Sequence, residues 1–164
     1  MSVAALVQRL GLVPHPEGGY FKETWRAAES LPASALPARF SGPRSHATAI
    51  LYLLERGDFS ALHKIAGDEV WCFHEGAPLI VHTLSDGQRR DHRLDRLSPQ
   101  AVVPHGAWFG ARLDPDGGGD YTLVSCVVAP GFDFADFELA TPALAAAYPE
   151  HAALIATLTS PRTP

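Results

Sequence analysis

The stretch from Gly57 to Gly76, GDFSALHKIAGDEVWCFHEG, constrains the fold more than any other part of the chain. Two runs typical of short strands flank residues 66–68, Ala-Gly-Asp, which predict a tight turn because glycine adopts positive φ and aspartate tolerates it. Side chains alternate between faces along a strand, so Ala61, His63 and Ile65 are predicted to share one face of the first run. The stretch therefore predicts a β-hairpin that carries a histidine on one face.

The second run of the hairpin places Glu69, Trp71 and Phe73 on one face. If the hairpin faces the interior through His63, these three side chains and Ile65 line the same space. Such a space is mostly apolar and has two titratable groups in its wall, which is the usual composition of a small-molecule site. The hairpin therefore predicts a cavity for a small-molecule ligand.

The length of 164 residues favours a single domain, residues 1–164, with one hydrophobic core. The net charge of −5 and the lack of a basic run argue against a nucleic-acid partner. No apolar run approaches the ~20 residues that a membrane-spanning helix needs, so no membrane association is expected.

The two cysteines, Cys72 and Cys126, both fall inside predicted strands. A disulfide framework in a secreted protein uses more cysteines, so both are interpreted as buried thiols in a reducing compartment. The N-terminal residues MSVAALVQRLG lack a basic segment and a small-residue cleavage site, and do not predict a secretory signal. A cytoplasmic location is expected.

Short apolar runs separated by turn residues continue along the chain, which contains 14 glycines and 14 prolines. The runs predict about ten short strands, as in a jelly roll. Ser2 predicts the N-cap of a helix that Gly11 ends, and Thr141 followed by proline predicts the start of a helical tail. The predicted fold is all-β, a jelly-roll barrel with short N- and C-terminal helices.

The spacing of four residues in the hairpin resembles the first motif of the cupin superfamily: Gly57, His63, Glu69 and Gly76. Residues Pro104–Phe109 resemble its second motif. Further segments resemble one cupin branch that is named as a domain of unknown function: His15–Tyr20, Ile50–Leu54, Asp68–Trp71 and Ala129–Leu139. The resemblance implies a double-stranded β-helix, and a homodimer that forms through the sheets.

Metal binding is not favoured by the residues at the four ligand positions of the cupin motifs. Ile65 and Phe109 stand where the resemblance would place metal-binding histidines, so only His63 and Glu69 remain. A catalytic metal needs about three protein ligands. The sequence therefore predicts no cofactor, and a divalent metal held by His63 and Glu69 is the alternative.

Without a metal, His63 and Glu69 are predicted to hydrogen-bond across the hairpin. A carboxylate beside an imidazole fixes its tautomer and raises its basicity, which suits a general base. The arrangement resembles that of the metal-free deoxysugar-nucleotide epimerases, in which a tyrosine acid faces the histidine base. The sequence offers three tyrosines for that role: Tyr20, Tyr52 and Tyr121.

The predicted function is binding of a carbohydrate or sugar-nucleotide ligand, with epimerase- or isomerase-like activity if the protein is an enzyme. One alternative is a non-enzymatic metabolite-binding or sensing protein. The other is a metal-dependent cupin isomerase or oxygenase. The candidate ligand-binding residues are Glu23, Tyr52, Ile65, Trp71, Phe73, Trp108 and Phe109.

Three of these candidates depend on strand parity. Trp108 and Phe109 are neighbours, so only one of them faces the interior: the motif register favours Phe109, and the resemblance to other family members places Trp108 near the rim. Glu23 shares parity with apolar side chains, so it either pairs with an arginine, for which Arg44 and Arg112 are the candidates, or reaches the cavity.

Overall fold

Two antiparallel β-sheets face each other in a computed structural model that describes residues 2–159. In chain order the strands are β1 (Val13–Pro14), β2 (Tyr20–Arg26), β3 (Ser30–Leu31), β4 (Arg44–Ser45), β5 (Thr48–Glu55), β6 (Phe59–Lys64), β7 (Asp68–Gly76), β8 (Leu79–Ser85), β9 (Gln88–Leu94), β10 (Gln100–Val103), β11 (Trp108–Leu113), β12 (Tyr121–Ala129) and β13 (Glu138–Leu139). The α-helices are α1 (Val3–Leu10) and α2 (Ala152–Leu158).

The six-stranded sheet has the order β1-β2-β5-β12-β7-β10, and the five-stranded sheet has the order β13-β6-β11-β8-β9. Their inner faces pack into one apolar cluster, to which β5, β7 and β12 contribute from one sheet and β8, β9 and β11 from the other. This arrangement confirms the predicted all-β jelly roll with short terminal helices. Within residues 2–159 no ladder joins the two sheets, so the predicted barrel is a sandwich of two sheets and not a closed cylinder.

The central strand β5 shows why the sheets form. Its sequence TAILYLLE is nearly continuous in apolar residues, which is typical of a strand covered on both faces. Tyr52 and Leu54 point into the cluster between the sheets. Leu53 points to the other face and packs against Leu6 of α1.

The two helices cover the outer faces of the sheets. The Ala5 N–H donates to Ser2 Oγ at 3.3 Å, and Gly11 ends α1 with a φ of 65°, so the predicted N-cap and terminating glycine are confirmed. Helix α2 packs apolar side chains against Leu62 and Leu84 on the outer face of the five-stranded sheet. Neither helix of residues 2–159 is long and apolar enough to cross a membrane.

A β-bulge in β6 changes the direction of its side chains. His63 pairs with Phe109 and Ser60 pairs with Ala111, so two residues of β6 lie opposite the single residue Gly110 of β11. The predicted alternation, with Ala61 on the face of His63, is therefore wrong: Ser60 and His63 contact the same carboxyl group. Gly110 leaves room for the bulge, because a Cβ there would lie 2.7 Å from the Ser60 carbonyl oxygen.

Candidate functional site

A cavity of about 260 Å³ lies between the sheets, and residues 132–134 form part of its wall. Its wall comes mainly from β2, β5, β6, β7 and β12, and from the turn before β2. The side chains that line it include apolar groups and an unusual number of titratable ones: His15, Glu17, Phe21, Glu23, Arg26, Ile50, Tyr52, His63, Ile65, Glu69, Cys126, Val128, Phe132 and Phe134.

Among the predicted site residues, those that line the cavity are His63, Glu69, Tyr52, Ile65 and Glu23. The other four, all aromatic, do not line it: Trp71, Phe73, Trp108 and Phe109. Trp71 and Phe109 are fully buried behind the wall, and Phe73 packs against the same core. The Phe109 ring lies 4.0 Å from the His63 ring between centroids, so Phe109 faces inward. Trp108 faces outward, and packs in the cluster that contains α2.

The bulge fixes the orientation of His63. The residue after Ser60 is Ala61, and its carbonyl oxygen accepts a hydrogen bond from His63 Nδ1 at 2.7 Å. A carbonyl can only accept, so Nδ1 carries a proton. The Ala61 N–H donates to the Glu17 carbonyl oxygen at 2.8 Å. The two backbone groups of one bulge residue thus hold both His63 and the main chain of Glu17.

The partner of His63 is Glu17 and not the predicted Glu69. His63 Nε2 lies 3.1 Å from Glu17 Oε2, and the Ser60 hydroxyl donates to Glu17 Oε1 at 2.9 Å. Burial lowers the pKa of His63 to about 4, although its hydrogen bond to Ala61 acts in the opposite direction. A contact of 3.1 Å between Nε2 and Oε2 is a hydrogen bond only when one proton lies between the two atoms. The buried pair therefore shares one proton and carries no net charge.

The turn before β2 brings Glu17 to this position. The Tyr52 hydroxyl donates to the Gly18 carbonyl oxygen at 2.7 Å, and the Gly19 N–H donates to Asp58 Oδ2 at 2.9 Å. Gly19 has a φ of +64°, and a Cβ there would lie 2.5 Å from the Leu53 carbonyl oxygen. Sequence reasoning explained this turn by its glycines alone and assigned Glu17 no role, because no spacing rule connects it with His63.

Glu69 is a second buried carboxyl group in the wall. Burial and the nearby Glu17 raise its pKa to about 8, although the side chains of Cys126 and Trp71 act in the opposite direction. Although Trp71 lies close to this carboxyl, its indole nitrogen has no hydrogen-bond partner within residues 2–159. Glu69 is thus protonated at neutral pH and can donate a proton.

His15 stands on the other side of Glu17. Its Nδ1 accepts a hydrogen bond from the Glu17 N–H at 3.2 Å and lies 3.7 Å from Glu17 Oε2. The ring meets Phe21 edge to face at a centroid distance of 4.6 Å, and its side chain is only 7% exposed. The carboxyl of Glu17 therefore lies between two buried imidazoles. Sequence reasoning missed His15 as a site residue.

Charged side chains at the rim pair differently from the prediction. Arg26 donates to both carboxylate oxygens of Glu23, at 3.0 and 2.8 Å, and to the Phe132 carbonyl oxygen at 3.2 Å. Glu23 thus reaches the cavity, but its partner is neither Arg44 nor Arg112. Arg44 forms a buried ion pair with Asp136 at 2.7 Å.

Among the tyrosines offered as an acid, only Tyr52 lines the cavity. Its hydroxyl already donates to the Gly18 carbonyl, and burial raises its pKa well above the usual value. Tyr20 packs in the cluster beneath α1, and the Tyr121 hydroxyl donates to Glu75 at 2.9 Å. The position of Tyr52 makes it a support for the turn of Glu17.

The metal that the resemblance implies does not fit the residues of this cavity. Ile65 and Phe109 are buried apolar side chains without donor atoms. The lone pairs of His63 Nε2 and His15 Nδ1 are used by the carboxyl and the N–H of Glu17. Within residues 2–159 no three His, Cys, Asp or Glu side chains are grouped so that they could hold a metal ion. The donor set suits the sharing of protons better than the binding of a cation.

Comparisons with known proteins agree with this fold. A "hypothetical protein" of Leishmania major has a solved structure with a TM-score of 0.85 and 35% identity, over 97% of this chain and 99% of that one. A crystal structure from Shewanella oneidensis has a TM-score of 0.84 and 32% identity, over 99% of both chains. An "uncharacterized protein" of Saccharomyces cerevisiae is 32% identical over 148 residues, which are 82% of this chain and 73% of that protein.

The family comparison covers most of the chain. The model described as "Cupin superfamily (DUF985)" matches residues 4–140, which include both cupin motifs and the turn of Glu17. The match extends over all strands of the two facing sheets. The chain therefore belongs to the DUF985 family of the cupin superfamily.

Proposed function

We propose that this cupin binds a small hydroxylated molecule and moves a proton on it, as an epimerase or isomerase does, through the pair His63 and Glu17. The observation that carries the proposal is the 3.1 Å contact between His63 Nε2 and Glu17 Oε2 in the cavity wall. Perturbed titratable groups that share a cavity with a charge partner are typical of acid–base sites. The proposal replaces the pair His63–Glu69, predicted from sequence, by His63–Glu17.

The proton transfer follows from the single proton of the pair. When that proton moves to His63 Nε2, Glu17 becomes a carboxylate that can accept a proton from the ligand. Ser60 and the bulge hold both partners in place, so little reorganisation is needed. Glu69, protonated at neutral pH, is the group that returns a proton to the ligand. Base and acid are then two carboxyl groups whose environments differ.

The ligand class is proposed from the cavity itself. A volume of about 260 Å³ leaves room for a single sugar ring and not for a long chain. The wall offers imidazole, carboxyl and hydroxyl groups beside the rings of Phe132 and Phe134, a mixture that suits a hydroxylated ring. Two further predictions, a homodimer and a cytoplasmic location, stay predictions.

The test is deuterium exchange in D2O with a panel of aldoses, ketoses, uronic acids and nucleoside-diphosphate sugars, followed by mass spectrometry. We expect carbon-bound deuterium in at least one compound class, and a loss of about 100-fold or more in His63→Gln and Glu17→Gln. His82→Gln is the matched control, because His82 is equally buried but does not line the cavity.

The same panel separates the alternatives. Binding of a compound without exchange, with equal affinity in Glu69→Gln, would support the non-enzymatic binding protein and contradict the proposal. Exchange that disappears after treatment with a chelator and returns with a divalent metal would support the metal-dependent cupin.

A further inference from the structure

We propose that a second cavity, between the strands β9 and β10, binds a small organic anion whose carboxylate or phosphate oxygens accept hydrogen bonds from Arg90. This cavity, which we call the edge cavity, has a volume of about 420 Å³ and shares no lining residue with the cavity of His63 and Glu17. Its lining residues are Thr83, Ser85, Asp86, Gln88, Arg90, His92, Val102, Pro104 and Ala107.

The edge cavity lies where the two sheets end. β9 is the last strand of the five-stranded sheet and β10 is the last strand of the six-stranded sheet. Within residues 2–159 no ladder joins these two strands. One wall of the cavity comes from the β8–β9 hairpin, and the other comes from β10 and the turn that follows it.

The inner face of the β8–β9 hairpin changes from apolar to polar at this cavity. Its apolar positions belong to the cluster between the sheets: Leu79, Val81 and Leu94. Side chains two positions apart share a face of a strand, so the next inner positions are all polar. They are Thr83 and Ser85 in β8, and His92, Arg90 and Gln88 in β9. Inner positions of a sandwich are normally apolar, and a departure from that pattern is expected at a functional site.

Neighbouring groups already satisfy the hydroxyl and carboxyl groups of this wall. The Thr83 hydroxyl donates to the Arg90 carbonyl oxygen at 3.1 Å, and the Ser85 hydroxyl donates to Asp86 Oδ2 at 3.0 Å. The side chains of Gln88, Arg90 and His92, in contrast, form no hydrogen bond or ion pair with another residue of the range 2–159. The groups that remain for a ligand are therefore an amide, a guanidinium and an imidazole.

The other arginines of β9 show that Arg90 differs from its neighbours. Arg89 binds Asp91 at 2.6 Å and Arg93 binds Asp114 at 2.7 Å, so each guanidinium of the outer face has a carboxylate partner. Arg90 has none among the described residues, although the carboxylate of Asp86 belongs to the same wall. A guanidinium presents a planar fork of N–H groups that matches two oxygens of a carboxylate or a phosphate. Arg90 is therefore the group to which an anion binds.

The two walls together indicate the class of ligand. Inner positions of a strand are about 7 Å apart, so Gln88 and His92 stand on either side of Arg90. Both can donate a hydrogen bond, and the imidazole has an N–H in every protonation state. The opposite wall has apolar side chains: Val102, Pro104 and Ala107. A ligand with an acidic group and an apolar body matches both walls.

The probes are benzoate and phenyl phosphate, which share an apolar ring and differ in the acidic group, and phenol is the neutral reference. Isothermal titration calorimetry of the full chain at low ionic strength measures binding, because salt screens exposed charges. We expect saturable binding of at least one anion with a Kd of about 1 mM or lower, and no saturable binding of phenol. The anion with the lower Kd identifies the acidic group.

Three variants test the role of Arg90. Arg90→Gln removes the guanidinium and should weaken binding by about 10-fold or more, whereas Arg90→Lys keeps the charge without the fork and should lie between. Arg96→Gln is the matched control, because Arg96 is also exposed and has no ion pair within residues 2–159, but does not line the edge cavity. It removes the same charge and should leave the Kd unchanged. Circular dichroism checks that each variant is folded.

Absence of saturable binding of both anions, or an equal loss of affinity in Arg90→Gln and Arg96→Gln, would overturn the anion site. Nitrogen-15 NMR of the backbone gives an independent readout: shifts around His63 without shifts in β9 would also overturn it. Self-association of the full chain that disappears in Arg90→Gln would assign the edge cavity to a second copy, and so contradict the proposal. None of these outcomes bears on the proton transfer by His63 and Glu17, which deuterium exchange tests separately.

Discussion

His63 and His82 are two buried histidines of the same five-stranded sheet, and each contacts a carboxyl group. His82 Nδ1 lies 2.8 Å from Asp91 Oδ1, and the two residues are direct cross-strand neighbours of β8 and β9. The carboxyl of Glu17, in contrast, comes from outside the sheet and meets His63 because β6 is bulged. His82 shares the face of Leu84, which packs against α2, whereas His63 faces the cavity.

The difference teaches how a site can be told from a structural pair. Burial lowers the pKa of both histidines, and both carboxyl partners are within hydrogen-bond reach, so neither property separates them. We call His82–Asp91 the outer pair and His63–Glu17 the inner pair. Arg89 also binds Asp91, at 2.6 Å, and its positive charge neutralises the carboxylate of the outer pair. The inner pair forms where the bulge in β6 interrupts the regular ladder, and both of its side chains line the cavity. Irregular backbone beside a cavity is thus the more informative sign.

The largest expected effect comes from removing the bulge that distinguishes the inner pair. Gly110→Ala would place a Cβ 2.7 Å from the Ser60 carbonyl oxygen and 3.2 Å from the Leu62 nitrogen. We expect it to lower the free energy of unfolding by about 3 kcal/mol, measured by urea denaturation. Gly118→Ala is the control, since no heavy atom lies within 4 Å of its added Cβ, and should change stability by less than about 0.5 kcal/mol. Equal stabilities of the two variants would show that the bulge does not depend on Gly110.

A smaller effect is expected from pH. Glu69 keeps its proton up to about pH 8 when folded but loses it near 4.5 when unfolded, so the free energy of unfolding falls as pH rises between these values. The lowered pKa of His63, from 6.5 to about 4, acts in the opposite direction, but only below pH 6.5. His82 also acts only below that value. Above pH 6.5 neither histidine opposes this effect, so Glu69 contributes a slope of about 1.4 kcal/mol per pH unit and a loss of about 2 kcal/mol at pH 8.

Urea denaturation at several pH values measures this loss, and Glu69→Gln is the matched variant. Its amide has nearly the shape of a protonated carboxyl but does not ionise. Between pH 6.5 and pH 8 the stability of the variant should therefore fall by about 2 kcal/mol less than that of the wild-type protein. A slope as steep in the variant as in the wild-type protein would contradict the raised pKa of Glu69.

The smallest expected effect concerns the outer pair. Asp91→Asn keeps the shape of the side chain, and the partly exposed carboxylate it replaces is screened by solvent, so we expect a loss of about 1 kcal/mol or less. The rate of deuterium exchange into the ligand should not change. A slower reaction in this variant would mean that the two histidine pairs are coupled, and that the contrast between them is not valid.

Local sequence was sufficient for the elements of the site. The turn predicted at residues 66–68 joins β6 and β7, and both His63 and Glu69 are buried in the cavity wall. Ser2 and Gly11 bound α1 as predicted, because caps depend on side chains close in sequence. The turn and the caps were predicted correctly because each relied on residues that are close in sequence, whereas the role of His63 and Glu69 stays a prediction.

The pairing of the site depends on contacts that are distant in the chain. The bulge at Ala61 needs the small residue Gly110 on a neighbouring strand, so strict alternation along β6 gave the wrong facing for Ser60. The approach of Glu17 depends on how its turn packs on Tyr52 and Asp58. Glu23 was assigned distant arginines although Arg26 lies three residues away. Periodicity along one strand contains no information on such approaches.

The bulge residue Ala61 holds both partners of the inner pair through main-chain atoms, which every residue except proline possesses. The amino acid at this position can therefore change in many ways without disturbing the proton pair. The number of residues in β6, in contrast, cannot change without disturbing this pair. Deletion of one residue there would restore a regular ladder and rotate His63 away from Glu17, so among relatives of this chain the spacing between Ser60 and His63 should vary less than the identity of the residues between them.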